Sequence, residues 1–406
     1  MQAENIKTLS FGCRLNALES EKIKSMLAPV VNAAIVVNTC AVTGEAERQS
    51  GQAVRKIARE NPNAPIFVTG CAATRNPGLF LQIPNTMVIA NRDKMNPDAY
   101  VAAMAAAPCD RGADCISGFV HQAPHLSKKF VQVQNGCNHK CAYCVTRLLR
   151  GPAVAFDYED ILHDVQAATH DGFGEIVFTG VDIASYAREG RLISDVCRDI
   201  LRDVPDVRRM RLSSLDPASP EIFKIIDLIH SDTRMMPHIH LSMQSGSDTI
   251  LRTMGRRHTA EQVRKIVAAA GDITFSWDII CGFPGETDEL FQETLNLVRD
   301  TRPIRIHAFP FSPRPGTPAF DMPGQVNRAI SKKRVKIITA MSAQNQADFI
   351  ARNIGQTVQV LVEENNTART PHDIPVKIDG GAVPARTICS VRLTDGDGDG
   401  FRGKIL

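Results

Sequence analysis

Short apolar runs alternate with polar-faced helical stretches along most of this chain, and that rhythm restricts the fold more than any other feature. In the first hundred residues, runs at 7–11, 34–37 and 65–68 read as strands, with helices predicted over 16–27 and 45–60. Strands separated by helices run parallel, with the helices covering the sheet faces. A second series follows, with strands predicted at 130–134, 175–178, 209–213, 238–243, 273–281 and 305–311. Helical stretches at 158–170, 193–202, 221–230, 260–270 and 290–299 separate them, and a last helix is expected over 327–351. About six β/α units imply a partial parallel barrel, shorter than the eight-unit form. From Gly355 onward the period changes to two, with Val358, Val360 and Val362 alternating and Gly/Asp turns between short runs, as in a small β-barrel. The fold class is therefore α/β. A parallel α/β domain is expected at 1–110, a linker at 111–123, a (β/α)6 barrel core at 124–353 and a β-barrel at 354–406.

The 406 residues carry a formal net charge of only +3, so no overall field draws in nucleic acid and any RNA contact must come from a local patch. The tail does not supply one by its balance, with six Lys/Arg against seven Asp/Glu from residue 354. No apolar run reaches the ~18 residues of a membrane span. The start lacks a basic region followed by an apolar stretch, so no secretory signal is expected. These features point to a cytoplasmic, reducing compartment without membrane contact, where persistent thiolates are metal ligands, catalytic groups or core residues.

Three of the 11 cysteines fall within eight residues, as Cys137-x₃-Cys141-x₂-Cys144, directly after the first barrel strand. A loop there opens at the C-terminal mouth of the barrel, where such folds place their chemistry. Three sulfurs this close can hold three irons of a [4Fe–4S] cube, leaving the fourth iron open to an amino-acid chelator. The competing reading is zinc, whose structural sites want four closed ligands, with His139 or a remote residue as the fourth. A second set is dispersed. Cys13, Cys40 and Cys71 each end a predicted strand, and in a parallel sheet these ends share the ligand-binding edge. They suggest a second cluster with an open iron, against the alternative of three buried core thiols. Cys109, Cys115, Cys197, Cys281 and Cys389 read as structural.

Taken together, these motifs resemble the radical S-adenosylmethionine methylthiotransferase family. The run Cys137-x₃-Cys141-x₂-Cys144 is similar to the radical SAM signature, and Gly12-Cys13-Arg14-Leu15-Asn16, Asn38-Thr39-Cys40 and Thr69-Gly70-Cys71 to the family's N-terminal domain. Further matches are Thr179-Gly180-Val181, Gln244-Ser245-Gly246 and Gly282-Phe283-Pro284-Gly285, and the tail resembles a TRAM domain. Asn38-Thr39-Cys40-Ala41-Val42-Thr43 looks most like the threonylcarbamoyladenosine (MtaB) type.

The resemblance implies two [4Fe–4S] clusters, S-adenosylmethionine, and tRNA as substrate. It also implies an electron donor such as flavodoxin or ferredoxin, with the sulfur source unknown. The Cys137 cluster would split S-adenosylmethionine to give a radical that takes hydrogen from C2 of an adenine next to the anticodon, at position 37. The Cys13 cluster would supply the sulfur. An unactivated aromatic C–H offers no acid–base route, which is why a radical is needed. Thr179, Gly180 and Val181, Gln244 and Asp278 end or line barrel strands and are candidates for cofactor contact. Arg147 and Arg150 are candidates for a substrate phosphate or carboxylate. Isopentenyladenosine tRNA, a ribosomal protein aspartate, and a non-catalytic iron–sulfur RNA-binding protein are the alternatives. The run Asp395-Gly396-Asp397-Gly398-Asp399-Gly400 mimics a calcium loop, but Leu406 stands where the twelfth-position Glu belongs, so a turn is expected.

Overall fold

A computed structural model describes residues 5–106 and 127–406. The expected linker at 111–123, with Cys109 and Cys115, lies outside the described residues.

Four strands, β1 (Ile6–Ser10), β2 (Ala34–Thr39), β3 (Ile66–Gly70) and β4 (Thr86–Val88), lie side by side in chain order, each parallel to the next. The period-two pattern explains the layering. Ile35 and Val37 join one core with Leu9, Val54 and Val68, while Ala34 and Val36 join the other with Ile6, Leu27 and Tyr100. Every residue of β2 is therefore buried, as in a parallel strand covered on both faces. The helix Gly44–Glu60 starts where Thr43 Oγ1 accepts from the Ala46 N–H. Strand β4 escapes the sequence pattern because it has three residues, of which only Met87 is buried.

The core holds six parallel strands, β5 (Lys128–Gln132), β6 (Glu175–Thr179), β7 (Met210–Leu212), β8 (His238–Gln244), β9 (Thr274–Cys281) and β10 (Arg305–Pro310). They form two three-stranded halves, joined where Leu215 N–H donates to the His240 C=O (2.8 Å) and Ser242 N–H to the Leu215 C=O (3.0 Å). The barrel stays open between its edge strands β5 and β10. Along β8, Ile239, Leu241 and Met243 are buried and pack with the outer helices, while His238, His240 and Ser242 alternate with them on the other face.

Five antiparallel and parallel strands close the C-terminal barrel: β11 (Thr357–Val362), β12 (Thr367–Arg369), β13 (Pro375–Asp379), β14 (Ile388–Asp397) and β15 (Gly400–Ile405). Val360, Val376, Val391, Leu393 and Phe401 fill its interior. The calcium-like run ends β14, makes the two-residue turn at Gly398 and Asp399, and begins β15. This barrel is fixed to the starts of the core strands. Asp373 accepts from Lys128 Nζ of β5 (2.8 Å), Arg211 of β7 donates to the Thr370 and Pro371 carbonyls (3.1 and 2.7 Å), and His372 meets Thr274 of β9 (3.2 Å). It therefore plugs the bottom of the core, opposite the strand ends that carry the cysteines.

Candidate active site: two cysteine triads

The loop after β5 brings Cys137, Cys141 and Cys144 together. Backbone bonds tie it to its neighbours: Cys137 N–H to the Gly151 C=O (3.2 Å), Ala142 N–H to the Met254 C=O (2.9 Å) and Ala319 N–H to the Ala142 C=O (2.8 Å). The three thiols are partly exposed and unpaired by disulfides. His139 N–H donates to Cys137 Sγ (3.4 Å), Thr146 N–H to Cys144 Sγ (3.4 Å), and Arg256 Nη1 lies 3.7 Å from Cys141 Sγ. Such donors favour thiolates. Burial nonetheless pushes the Cys137 thiol up to about 11, and the charges of Asp182, Cys144 and Cys141 add to the rise. Three sulfurs crowded this way fit a metal centre, whose positive charge replaces the protons.

Arg256 is itself held. Its Nη2 donates to Asp216 Oδ1 (2.8 Å), and Arg257 Nη2 donates to Asp216 Oδ2 (2.7 Å). Burial raises the Asp216 carboxyl, but the Arg256 charge and the Arg257 bond outweigh it and hold it below the usual range. His139 Nε2 lies 2.8 Å from Asp182 and 3.5 Å from Asp216. Cys137, His139 and Asp182 place three ligand atoms within 4.8 Å of one another. That grouping is one short of a closed zinc site and leaves out Cys141 and Cys144.

The second triad gathers at the C-terminal edge of the N-terminal sheet, as the strand ends require. Register puts Thr39 beside Gly70, so Cys40 and Cys71 follow neighbouring strands, and Cys13 stands at the N-cap of the helix Arg14–Leu27. Gly12, at φ +89°, lets the Cys13 loop close on Cys40: a Cβ there would lie 2.4 Å from Cys40 Sγ. Cys40 is driven up to about 11 by burial, with the charges of Cys13 and Cys71 contributing. The three thiols sense one another, and their chemistry again suits a metal centre.

Arg150 corrects an expectation. It was a candidate for substrate contact, but its guanidinium is spent within the protein. It donates to Glu19 (2.9 and 3.1 Å), Asn16 (2.6 Å) and Asn135 (3.1 Å), with its side chain 3% exposed. Lys94 Nζ, equally enclosed, donates to the same Glu19 (2.5 Å) and to Asn91 (2.6 Å). The Arg150 charge also bears on Cys71: burial raises that thiol, and Arg150 and Lys94 pull against the rise. A residue six positions after Cys144 thus reaches the other triad.

The remaining candidates are placed unevenly. The Thr179–Gly180–Val181 turn is clamped by Gln134, whose Oε1 accepts from Val181 N–H (3.0 Å) and Asp182 N–H (2.9 Å). Gln244 ends β8 at φ +67°, a conformation uncommon outside glycine and frequent at working sites. Asp278 lies 3.1 Å from His240, and His307 stands opposite it in the register of β9 and β10. Arg147 is exposed, with no ion pair among the described residues. Sequence reasoning missed Asp216, Arg256, Glu19 and Lys94. The only signal was position: Asp216 follows a strand end, and Glu19 sits on the buried stripe of its helix.

The Radical SAM superfamily profile matches residues 131–298, and that of an uncharacterized protein family, UPF0004, matches residues 5–90. Threonylcarbamoyladenosine tRNA methylthiotransferase MtaB of Rickettsia prowazekii is 39% identical over 388 residues, 91% of this chain and 90% of that protein. The MtaB of Thermotoga maritima is 32% identical, over 89% of this chain and 87% of its own. The chain belongs to the MtaB family of radical SAM methylthiotransferases. One family profile spans Cys13, Cys40 and Cys71 and the other Cys137, Cys141 and Cys144, so each triad falls in its own module. Among solved structures, the radical S-adenosylmethionine methyltransferase TsrM from Kitasatospora setae shares the fold, at TM-score 0.54 and 13% identity over 73% of this chain and 68% of that one.

Proposed function

We propose that this protein transfers a methylthio group to C2 of N6-threonylcarbamoyladenosine at position 37 of tRNA, beside the anticodon. The observation that carries the reading is the pair of three-thiol sets, each at the C-terminal edge of its own parallel sheet, in a chain matching MtaB along nine-tenths of its length. Cys137, Cys141 and Cys144 would hold the cluster that binds S-adenosylmethionine, and Cys13, Cys40 and Cys71 a second [4Fe–4S] cluster. When bound, these groups supply one-electron cleavage of S-adenosylmethionine to remove an aromatic hydrogen, and a carrier for the methylated sulfur.

The chain's own residues position that chemistry. Asp216 fixes Arg256, and Arg256 fixes the Cys141 sulfur. Gln134 holds the Thr179–Gly180–Val181 turn, and Thr179, Gly180, Val181, Gln244 and Asp278 are assigned here to the cofactor's side of the cleft. Arg147, beside the first triad and without an ion pair among the described residues, is assigned to the RNA backbone. Arg150 couples the triads by pinning the segment after Cys144 to Glu19 and Asn16.

We divide the chain into a methylthiotransferase N-terminal domain (1–110), a linker (111–123), a radical SAM core (124–353) and a TRAM-like barrel (354–406). We assign the enzyme to the cytoplasm, reduced by a flavodoxin or ferredoxin; among the described residues no helix is long and apolar enough to cross a membrane. The test is mass spectrometry of tRNA nucleosides from a deletion strain. Methylthio-threonylcarbamoyladenosine should vanish and return with the wild-type gene but not with Cys40→Ala. Unchanged amounts in the deletion strain would overturn the assignment.

A further inference from the structure

We propose that Arg14 is the specificity residue that reads the carboxylate of the substrate's threonylcarbamoyl group. This rests on the proposed substrate. In that nucleoside, the carbon that receives sulfur (C2) and the carbon whose exocyclic nitrogen bears the threonylcarbamoyl group (C6) flank the same ring nitrogen. The carboxylate therefore enters the cleft within a side chain's reach of the sulfur-supplying triad. A carboxylate brought out of water needs a cation with free donors.

The cations around the cleft can be sorted by what already holds them. Arg150 and Lys94 are spent on Glu19, and Arg256 and Arg257 on Asp216. Arg75 and Arg314 share Glu47, and Arg305 faces Asp373. Arg14 directly follows Cys13, is exposed, and has no ion pair among the described residues. Arg147, beside the first triad, also has no ion pair among the described residues, but Arg14 adjoins the second triad. Its guanidinium carbon sits 5.6 Å from the ring centre of Phe130, on the edge strand β5. Its charge is also felt by Arg305 and His307, on the opposite edge strand β10. Arg14 thus stands in the open side of the core barrel, between Cys13 on one side and the His240–Asp278–His307 face on the other.

The aromatic contact suits the role. A guanidinium held over a ring face by cation–π attraction is restrained in place while its N–H groups turned away from the ring remain free to donate to a carboxylate. His307 does not substitute for it. Burial lowers its basicity, and the charges of His240, Arg305 and Arg14 lower it further against Asp278, so it is neutral at physiological pH. Among the described residues, Arg14 is a permanent positive charge beside the second triad that has no ion pair.

The test uses the reconstituted full-length enzyme, matched for iron across variants, and fluorescence anisotropy of anticodon stem-loop RNAs. The RNAs are identical except at position 37, which carries adenosine, N6-isopentenyladenosine, N6-threonylcarbamoyladenosine, or the last with its carboxylate converted to an amide. Wild type should bind the carboxylate RNA about tenfold more tightly than the amide RNA, as for a hydrogen bond to a charged group. Arg14→Gln should erase that difference while leaving the adenosine RNA within about twofold, and Arg14→Lys should fall between. The wild-type comparison of carboxylate with amide needs no mutation, so it decides even if Arg14→Gln loses iron. Equal binding of these two RNAs by wild type, or an undiminished preference in Arg14→Gln, overturns the role of Arg14. A wild type that prefers the isopentenyl RNA overturns the substrate assignment on which it rests.

Discussion

Replacing Glu19 by glutamine removes the only anion from a group of three charges shut off from water. The side chains of Glu19 and Lys94 are each 2% exposed and that of Arg150 3%. Burial raises the Glu19 carboxyl, but the Lys94 and Arg150 charges and their hydrogen bonds outweigh it and hold it below its ordinary value of 4.5. Glu19 is therefore ionised through the neutral range. In Glu19→Gln two enclosed cations face each other with no anion between them, and breaking a buried pair costs about 3–5 kcal/mol. Asn16, Asn91 and Asn135 still accept from them, and the new amide keeps one acceptor, so the lower end, about 3 kcal/mol, is expected. A chain with several structural units does not unfold in one step, so the assay must be local. Hydrogen exchange in β2 and β3 should quicken on the order of a hundredfold if their opening runs through this unit, with β9 unchanged. The folded carboxyl is depressed, so its stabilisation is present above the unfolded value and fades as pH falls through and below 4.5. The difference between wild type and variant should shrink there. Adding Lys94→Met should recover part of the loss. Exchange in Glu19→Gln within about threefold of wild type at pH 7 would refute the reasoning, since opening would then not break this group.

Three further outcomes follow from the same geometry. Cys137→Ala should remove about half the iron and abolish 5′-deoxyadenosine formation from S-adenosylmethionine, whereas Cys40→Ala should lose the other half, keep 5′-deoxyadenosine formation and lose methylthiolation; retention of all iron in either variant would contradict the two-cluster reading. Gly136→Ala places a Cβ 1.9 Å from the Pro152 carbonyl oxygen at φ +69°, so the Cys137 loop must shift, and quantitative iron analysis should show a loss like that of Cys137→Ala. On the outer face of the C-terminal barrel, Lys377 lies beside Arg402 and Arg392 beside Lys404, all exposed and without ion pairs among the described residues. The double substitution Arg402→Glu and Lys404→Glu should weaken tRNA binding and flatten its dependence on log salt by about two, and an unchanged slope would place the RNA elsewhere.

Much of the architecture can be read in the sequence because it is local. A helix or strand is marked by the spacing of apolar residues over ten positions, as at 158–170, where the expected and observed helices coincide. Strand ends carry the cysteines, and parallel strands align their ends, so the second triad was legible although its members lie 27 and 31 residues apart. The three-residue strand β4 was not, because it is too short to show a period. Arg150 was misjudged for a different reason. Whether an arginine beside a cluster loop faces solvent or a buried carboxylate depends on what docks against it, and Glu19 is 131 positions away.

The sequence by itself determined the strand–helix repeats from which most of this protein is built, and the placement of two sets of three thiols after strand ends. Only the tertiary structure decided which charges find partners. It sank Glu19, Lys94 and Arg150 together, drew Asp216 to Arg256, set the C-terminal barrel beneath the core, and left Arg14 over Phe130 with no ion pair among the described residues. The physical reason is range. Periodicity is written by neighbours along the chain, whereas burial and ion pairing are settled by distant surfaces excluding water from one another.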